Sequence, residues 1–177
     1  LEKTIQSCGA SFSDTWAAYE NRELQRLKDF RHILPETINA IIADRKKQYP
    51  DIHKLGTDLA VPDERLQDMW QLYKESLESA DLQWAAFGHI GNNHIHVNIM
   101  PRDSDELQKG LALYEKFAGK AVEFGGTVSA EHGIGKMKIK FLETMYSPDH
   151  LKEMQAVKLA LDPQYMLNPG NIFPDSS

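Results

Sequence analysis

Cysteine is almost missing from this chain. One occurs in 177 residues, Cys8, which excludes an internal disulfide framework and any zinc site built on several thiolates. Long apolar runs are missing too: none reaches the roughly 18–20 residues that a membrane-spanning helix needs. The opening "LEKTIQSCGA" has no apolar core of the kind a secretory signal carries. Positive charge is in deficit. Twenty Lys and Arg stand against 26 Asp and Glu, giving a net charge of −6 and a pI of about 5.6. With no basic block either, nucleic acid is excluded as a main partner. The chain opens without an initiator Met and stops soon after "NPGNIFP", so a piece of something longer is expected. The expected location is cytoplasmic, with a peripheral place at the inner membrane face as its variant.

What is present suffices for a core. At 41% hydrophobic and 26% charged, the length suits one globular domain. Residues 1–21 give no clear pattern. Leu24, Leu27, Phe30, Leu34, Ile38 and Ile41 recur at three- and four-residue steps and predict a helix over 23–47, broken or restarted at Pro35. "PDIHKLGTDLAVP" reads as a turn and a short strand closed by Pro62. Helices are predicted over 63–80, with Leu66, Trp70, Tyr73 and Leu77 as the apolar stripe, and over 104–124, stopped by Gly125. Between them, "LQWAAFGHI" and "HIHVNIM" flank a Gly-Asn-Asn turn and predict two strands. "GTVSAEHGIG" is expected to be a strand entering a glycine-rich loop. Helices from Lys136 to Met145 and from Ser147–Pro148 to Leu161 follow, then an irregular tail. The fold class is α+β: a mainly antiparallel sheet with helices packed on one face.

Two stretches carry chemistry. In a strand beginning at His94, Ile95, Val97 and Ile99 occupy one face, and His94, His96, Asn98 and Met100 the other. The apolar face belongs on the core, which leaves imidazoles and an amide on the second face. Imidazole is both the commonest metal ligand and the usual acid–base group near neutral pH. His89 precedes the turn, and the bend can return it towards His96. Half-buried histidines bonded to backbone are the plain alternative. In "GGTVSAEHGIGKMK", Glu131 and His132 stand before a Gly-x-Gly loop at Gly133 and Gly135. A carboxylate beside two histidines completes a two-His, one-carboxylate set, and a neighbouring His132 can move protons. An exposed Glu-His pair in a loop is the alternative there. Arg31, Lys54 and Lys138 are candidate anion binders, each of which is otherwise a solvated surface charge.

At "GHIGNNHIHVN", "GGTVSAEHGIGKMK" and "LDPQYMLNPGN", helped by "KLGTDLAVP", the chain resembles the C-terminal, substrate-binding region of FAD-linked oxidases of the D-lactate dehydrogenase, glycolate oxidase D-subunit and D-2-hydroxyglutarate dehydrogenase type. The resemblance covers about residues 31–173. It implies a ferredoxin-like cap domain, separate from an N-terminal FAD-binding domain that this sequence does not contain. It matches His89, His96 and Glu131 to metal ligands, His132 to the catalytic base and Asn98 to a substrate contact. Arg31 and Lys54 match, on looser motifs, the residues that hold the substrate carboxylate, and Asn168 falls where the family tail approaches the flavin. The implied reaction oxidises a D-2-hydroxy acid to the 2-oxo acid by metal-assisted hydride transfer to FAD. The metal is a divalent ion (Zn, Mn or Fe). Electrons then pass to a quinone, cytochrome, flavoprotein or iron–sulfur protein. The family's Asp-Gly-Asn is Asn92-Asn93-His94 here and its closing Lys is Asn171; His94 becomes either an extra ligand or a group behind the ligands. The rival readings are a flavin-independent metal hydrolase or lyase, a non-catalytic binding module, and flavin chemistry without net oxidation.

Overall fold

The computed structural model describes residues 2–173, which divide between Ala40 and Ile41 into two compact units. The first unit holds helix α1 (Glu2–Ser7), a short turn of helix and the first part of α2 (Asn21–Arg45). In it Trp16 packs edge-on against Phe30, ring centres 5.9 Å apart, with the Arg26 guanidinium over the indole. The expected break at Pro35 does not occur: α2 runs through it. A proline costs a helix one backbone bond and a clash, about 3 kcal/mol, which a helix of 25 residues absorbs.

The second unit follows the order β1 (Leu55–Gly56), α3 (Leu66–Ser79), β2 (Trp84–His89), β3 (His94–Ile99), α4 (Ser104–Glu123), α5 (Ile139–Met145), α6 (Pro148–Leu161). The strands form one antiparallel sheet in the order β1-β3-β2. This is the α+β fold that the pattern predicts. Its β-α-β-β-α order is that of a ferredoxin-like unit. The final strand is reduced to one bridge, Thr127 against Ala60, so the strand expected in "GTVSAEHGIG" is otherwise irregular backbone.

Local chemistry accounts for the boundaries. Asp103 caps α4 by accepting the Glu106 N–H at 2.9 Å, and Glu106 in return accepts the Arg102 N–H at 2.8 Å. Gly125 ends the helix with φ 78°. Ser147 caps α6 with Pro148 in its first turn. The β2–β3 turn needs a left-handed residue, and Asn93 supplies it at φ 51°, its amide tied to the Asp63 carboxylate. Asparagine tolerates that conformation better than other side chains, so this position does without glycine.

One sheet face lies on the core. Val97 and Ile99 are fully buried with Tyr73 and Leu77 of α3 and Phe117 and Ala121 of α4. Tyr73 meets Phe117 edge-on, centres 4.8 Å apart. Burying each such side chain contributes roughly 1.5–3 kcal/mol. The other face of β3 is not solvated either. His94, Asn98 and Met100 are buried, because β3 is the central strand. Among the described residues no helix is long and apolar enough to cross a membrane.

Candidate functional site

The three histidines of the hairpin share the sheet face opposite the core. His89 pairs with His94, and Phe87 with His96. Paired residues of antiparallel strands point the same way, as do residues two apart along one strand. His89 and His96 are therefore diagonal neighbours, ring centres 6.1 Å apart, and His94 lies 4.1 Å from His96. Gly88 permits this closeness: a Cβ there would stand 2.2 Å from the His94 carbonyl oxygen.

Glu131 arrives from the loop after α4. Its Oε1 lies 3.4 Å from His89 Nε2 and 3.5 Å from His94 Nδ1, and its Oε2 lies 3.6 Å from His96 Nε2. Three imidazole nitrogens thus surround one carboxylate. His96 Nδ1 points away, 3.1 Å from the Thr57 carbonyl oxygen. His132, the most exposed of the group at 63%, stacks on His96 at 5.2 Å with ring planes 12° apart.

Asp58 holds this loop in place, and sequence reasoning missed it. It is completely buried. Its carboxylate accepts from Ser129 Oγ at 2.9 Å, from the N–H of Glu131 and of His132 at 3.1 Å each, and from Lys138 Nζ at 2.8 Å. Its carbonyl accepts the Ala130 N–H at 2.9 Å. Burial pushes the carboxyl up, but the Lys138 ammonium, the Ser129 hydroxyl and the two amide donors outweigh it and hold it at about 2. The loop is irregular because these bonds replace a strand ladder. One signal was available: an acid within the apolar run "DLAVP" needs buried partners. The turn at Gly133 is left-handed, φ 69°; Gly135, at φ −106°, is ordinary extended backbone.

His94 is enclosed, at 1% exposure. Its Nε2 lies 3.2 Å from Asp58 Oδ1, and neither ring nitrogen has a hydrogen-bond partner of good geometry. Burial and the adjacent His96 depress its basicity, against the pull of Glu131 and Asp58.

Two groups of three side chains could hold a metal ion: His89, His96 and Glu131; and Asp58, His96 and His132. In each, one donor atom per residue lies within 4.8 Å of the others. The remaining candidates stand apart. Lys138 is spent on Asp58. Asn98 shares the face of His96 but is buried, with its amide on the His96 carbonyl at 3.3 Å. Lys54 precedes β1, half-buried, with no ion-pair partner among the described residues. Arg31 lies in the first unit, exposed on α2. Asn168 is in the tail at φ 47° and lines an apolar hollow with Met154, Val157, Leu167 and Phe173.

Residues 1–172 match the family described as FAD linked oxidases, C-terminal domain. Over 118 aligned positions the chain is 32% identical to the glycolate oxidase subunit GlcD of Bacillus subtilis, a match covering 66% of this chain and 25% of that protein. It is 37% identical over 119 positions to a D-lactate dehydrogenase of Anaerostipes hadrus, covering 65% and 25%. Against a D-2-hydroxyglutarate dehydrogenase of Stutzerimonas stutzeri it is 29% identical over 181 positions, covering 89% and 39%. The chain therefore spans 25% to 39% of the length of these relatives.

Proposed function

This chain belongs to the family of C-terminal domains of FAD-linked oxidases, and from that premise we propose that the intact protein oxidises a D-2-hydroxy acid to the 2-oxo acid. Glycolate, D-lactate and D-2-hydroxyglutarate, the molecules in its relatives' names, are all 2-hydroxy acids. The observation that carries the reading is the spacing around Glu131. Two atoms each about 2.1 Å from an ion, at a tetrahedral angle, lie about 3.4 Å apart. The His89 and His96 nitrogens stand 3.4 and 3.6 Å from the carboxylate oxygens. A carboxylate amid imidazoles fits a divalent ion such as Zn, Mn or Fe. His89, His96 and Glu131 are the better of the two possible sets, because a cation on Asp58 would have to displace Lys138.

Such an ion supplies polarisation of the substrate hydroxyl and lowers its pKa. FAD, held by the domain N-terminal to this region, supplies the hydride acceptor. The chain's own residues do the rest. His132, stacked on His96 and exposed, takes the hydroxyl proton. The stack and its Asp58-bound backbone fix where its ring stands. Lys54 and Arg31 carry charge available for the substrate carboxylate and for orienting Cα. Asn98 lies on the sheet face of His96, its amide on the His96 carbonyl oxygen, and is the proposed substrate contact. Asn168 and the apolar hollow of the tail face the flavin-bearing domain. The electrons leave to a quinone, cytochrome, flavoprotein or iron–sulfur protein.

The test is turnover of the intact protein with D-lactate, glycolate and D-2-hydroxyglutarate against an artificial dye acceptor. Reduction of the dye by at least one of them is expected. A flavin-free protein that hydrolyses esters or amides would contradict the proposal.

A further inference from the structure

The sheet ends on β2 with none of the features that usually protect an edge. We infer that, in the intact protein, an extended segment from the region N-terminal to this chain pairs with β2 as a further strand. The pairing rests on the family assignment alone; its consequence for the substrate pocket rests on the function proposed above.

β2 pairs with β3 without a bulge along its whole length, from Trp84 against Ile99 to His89 against His94. Just before it, the Gln83 carbonyl accepts the Met100 N–H at 2.8 Å. In an antiparallel pair, bonding to the neighbour alternates residue by residue. Ala85, Phe87 and His89 therefore turn their N–H and C=O groups towards β3, and Trp84, Ala86 and Gly88 turn theirs outward. No strand, turn or loop among the described residues bonds to those outward groups. An open edge is a template for another strand, and proteins that leave one open shorten it or place Lys, Pro or a bulge on it. β2 reads "WAAFGH" and has none of these. The strand at the opposite side of the sheet, β1, is only two residues long.

The core thins towards the same edge. Trp84 and Ala86 share the core face with Ile99 and Val97, yet both are only half-buried, as are Trp70 and Ile95. Trp70 meets Trp84 edge-on, ring centres 5.8 Å apart. One more strand would bond the outward groups and cover these side chains together. Its source follows from what lies outside this chain. The family matched is a C-terminal domain, and the aligned relatives are covered over only 25% to 39% of their length. A segment tethered in the same molecule also has a far higher effective concentration than a second copy. Residues side by side on adjacent strands share a face. Positions of the added strand beside Phe87 and His89 therefore look onto the imidazoles and Glu131, and they form the flank of the substrate pocket next to His89.

The test is amide hydrogen exchange of the intact protein, resolved to single residues by mass spectrometry and repeated over a wide range of protein concentration. The N–H groups of Trp84, Ala86 and Gly88 are expected to exchange at least about 10³-fold more slowly than in the unfolded chain, at every concentration. Exchange at the rate of an open loop would overturn the inference. So would protection that is lost on dilution, which would give the edge to a second copy. Photo-cross-linking with p-benzoylphenylalanine replacing Phe87 identifies the occupant. Cross-links to residues N-terminal to this chain in the same molecule are expected; cross-links confined to residues 1–177, within one copy or between two, would overturn it. The exchange measurement needs no substitution, so it decides the matter if the substituted protein fails to fold. Neither measurement needs metal or turnover. An intact protein that oxidises no 2-hydroxy acid would therefore remove the proposed function and leave the added strand standing.

Discussion

The Asp58 carboxylate accepts the backbone N–H of Glu131 at 3.1 Å, across seventy-three residues of chain. The link joins the edge of β1 to a loop with almost no regular structure of its own. The His132 N–H, the Ser129 hydroxyl and the Lys138 ammonium converge on the same two oxygens. The proposed acid–base and ligand residues thus owe their positions to a residue that takes no part in the chemistry assigned to them.

Asp58→Asn should therefore be severe. It puts an amide among four donors and leaves Lys138 without its counter-charge. Breaking one side of a buried pair costs about 3–5 kcal/mol, and a loss of that size is expected in urea unfolding. Lys138→Met in the same background should recover part of it. A single-variant loss below about 1 kcal/mol would mean that the latch is not stabilising.

The same residue predicts an acid limb. Its carboxyl is held at about 2, below the ordinary 3.8, so it gives up protons more readily folded than unfolded. Its contribution is present in full above about pH 4 and is lost as pH falls towards 2, about 2 kcal/mol in all. Urea midpoints of the metal-free protein at pH 4, 3 and 2 should fall more steeply in the wild type than in Asp58→Asn. Equal slopes would contradict the assignment.

Gly88→Ala tests the hairpin. The added methyl meets the His94 carbonyl oxygen at 2.2 Å, and the strands must part where His89 and His94 pair. Overpacking of this kind costs about 1–3 kcal/mol. The melting temperature should fall, and metal affinity with it, because His89 moves. A variant with both unchanged would show that the hairpin gives way at no cost.

His132→Ala and Glu131→Ala should fail differently in the intact protein. The first is expected to keep its metal and lose turnover by about 10²–10⁴-fold, the range of a lost general base. The second is expected to lose the metal itself. Elemental analysis of both, beside their rates, makes the comparison; full occupancy in Glu131→Ala would refute the ligand assignment.

The fold was largely legible in the sequence because α3 and α4 are amphipathic and the β2–β3 turn is marked by Gly-Asn-Asn. Pro35 misled because a strong local breaker was overridden by the length of α2. The strand near Val128 misled because backbone satisfaction there comes from one distant carboxylate, which no periodicity reveals. At the site, alternation along β3 placed His94 and His96 together. That the histidine face is buried required knowing that β3 is central. Asp58 stayed hidden for the same reason: its partners are long-range, and the run around it reads as an apolar strand.

The most direct measurement is anaerobic flavin reduction by a D-2-hydroxy acid in the intact protein, made before metal removal, after it, and after restoring one equivalent of a divalent ion. The account predicts rapid bleaching of the flavin, loss of that bleaching by at least about 10²-fold on stripping, and its return on reloading. Bleaching at the same rate without metal would contradict it.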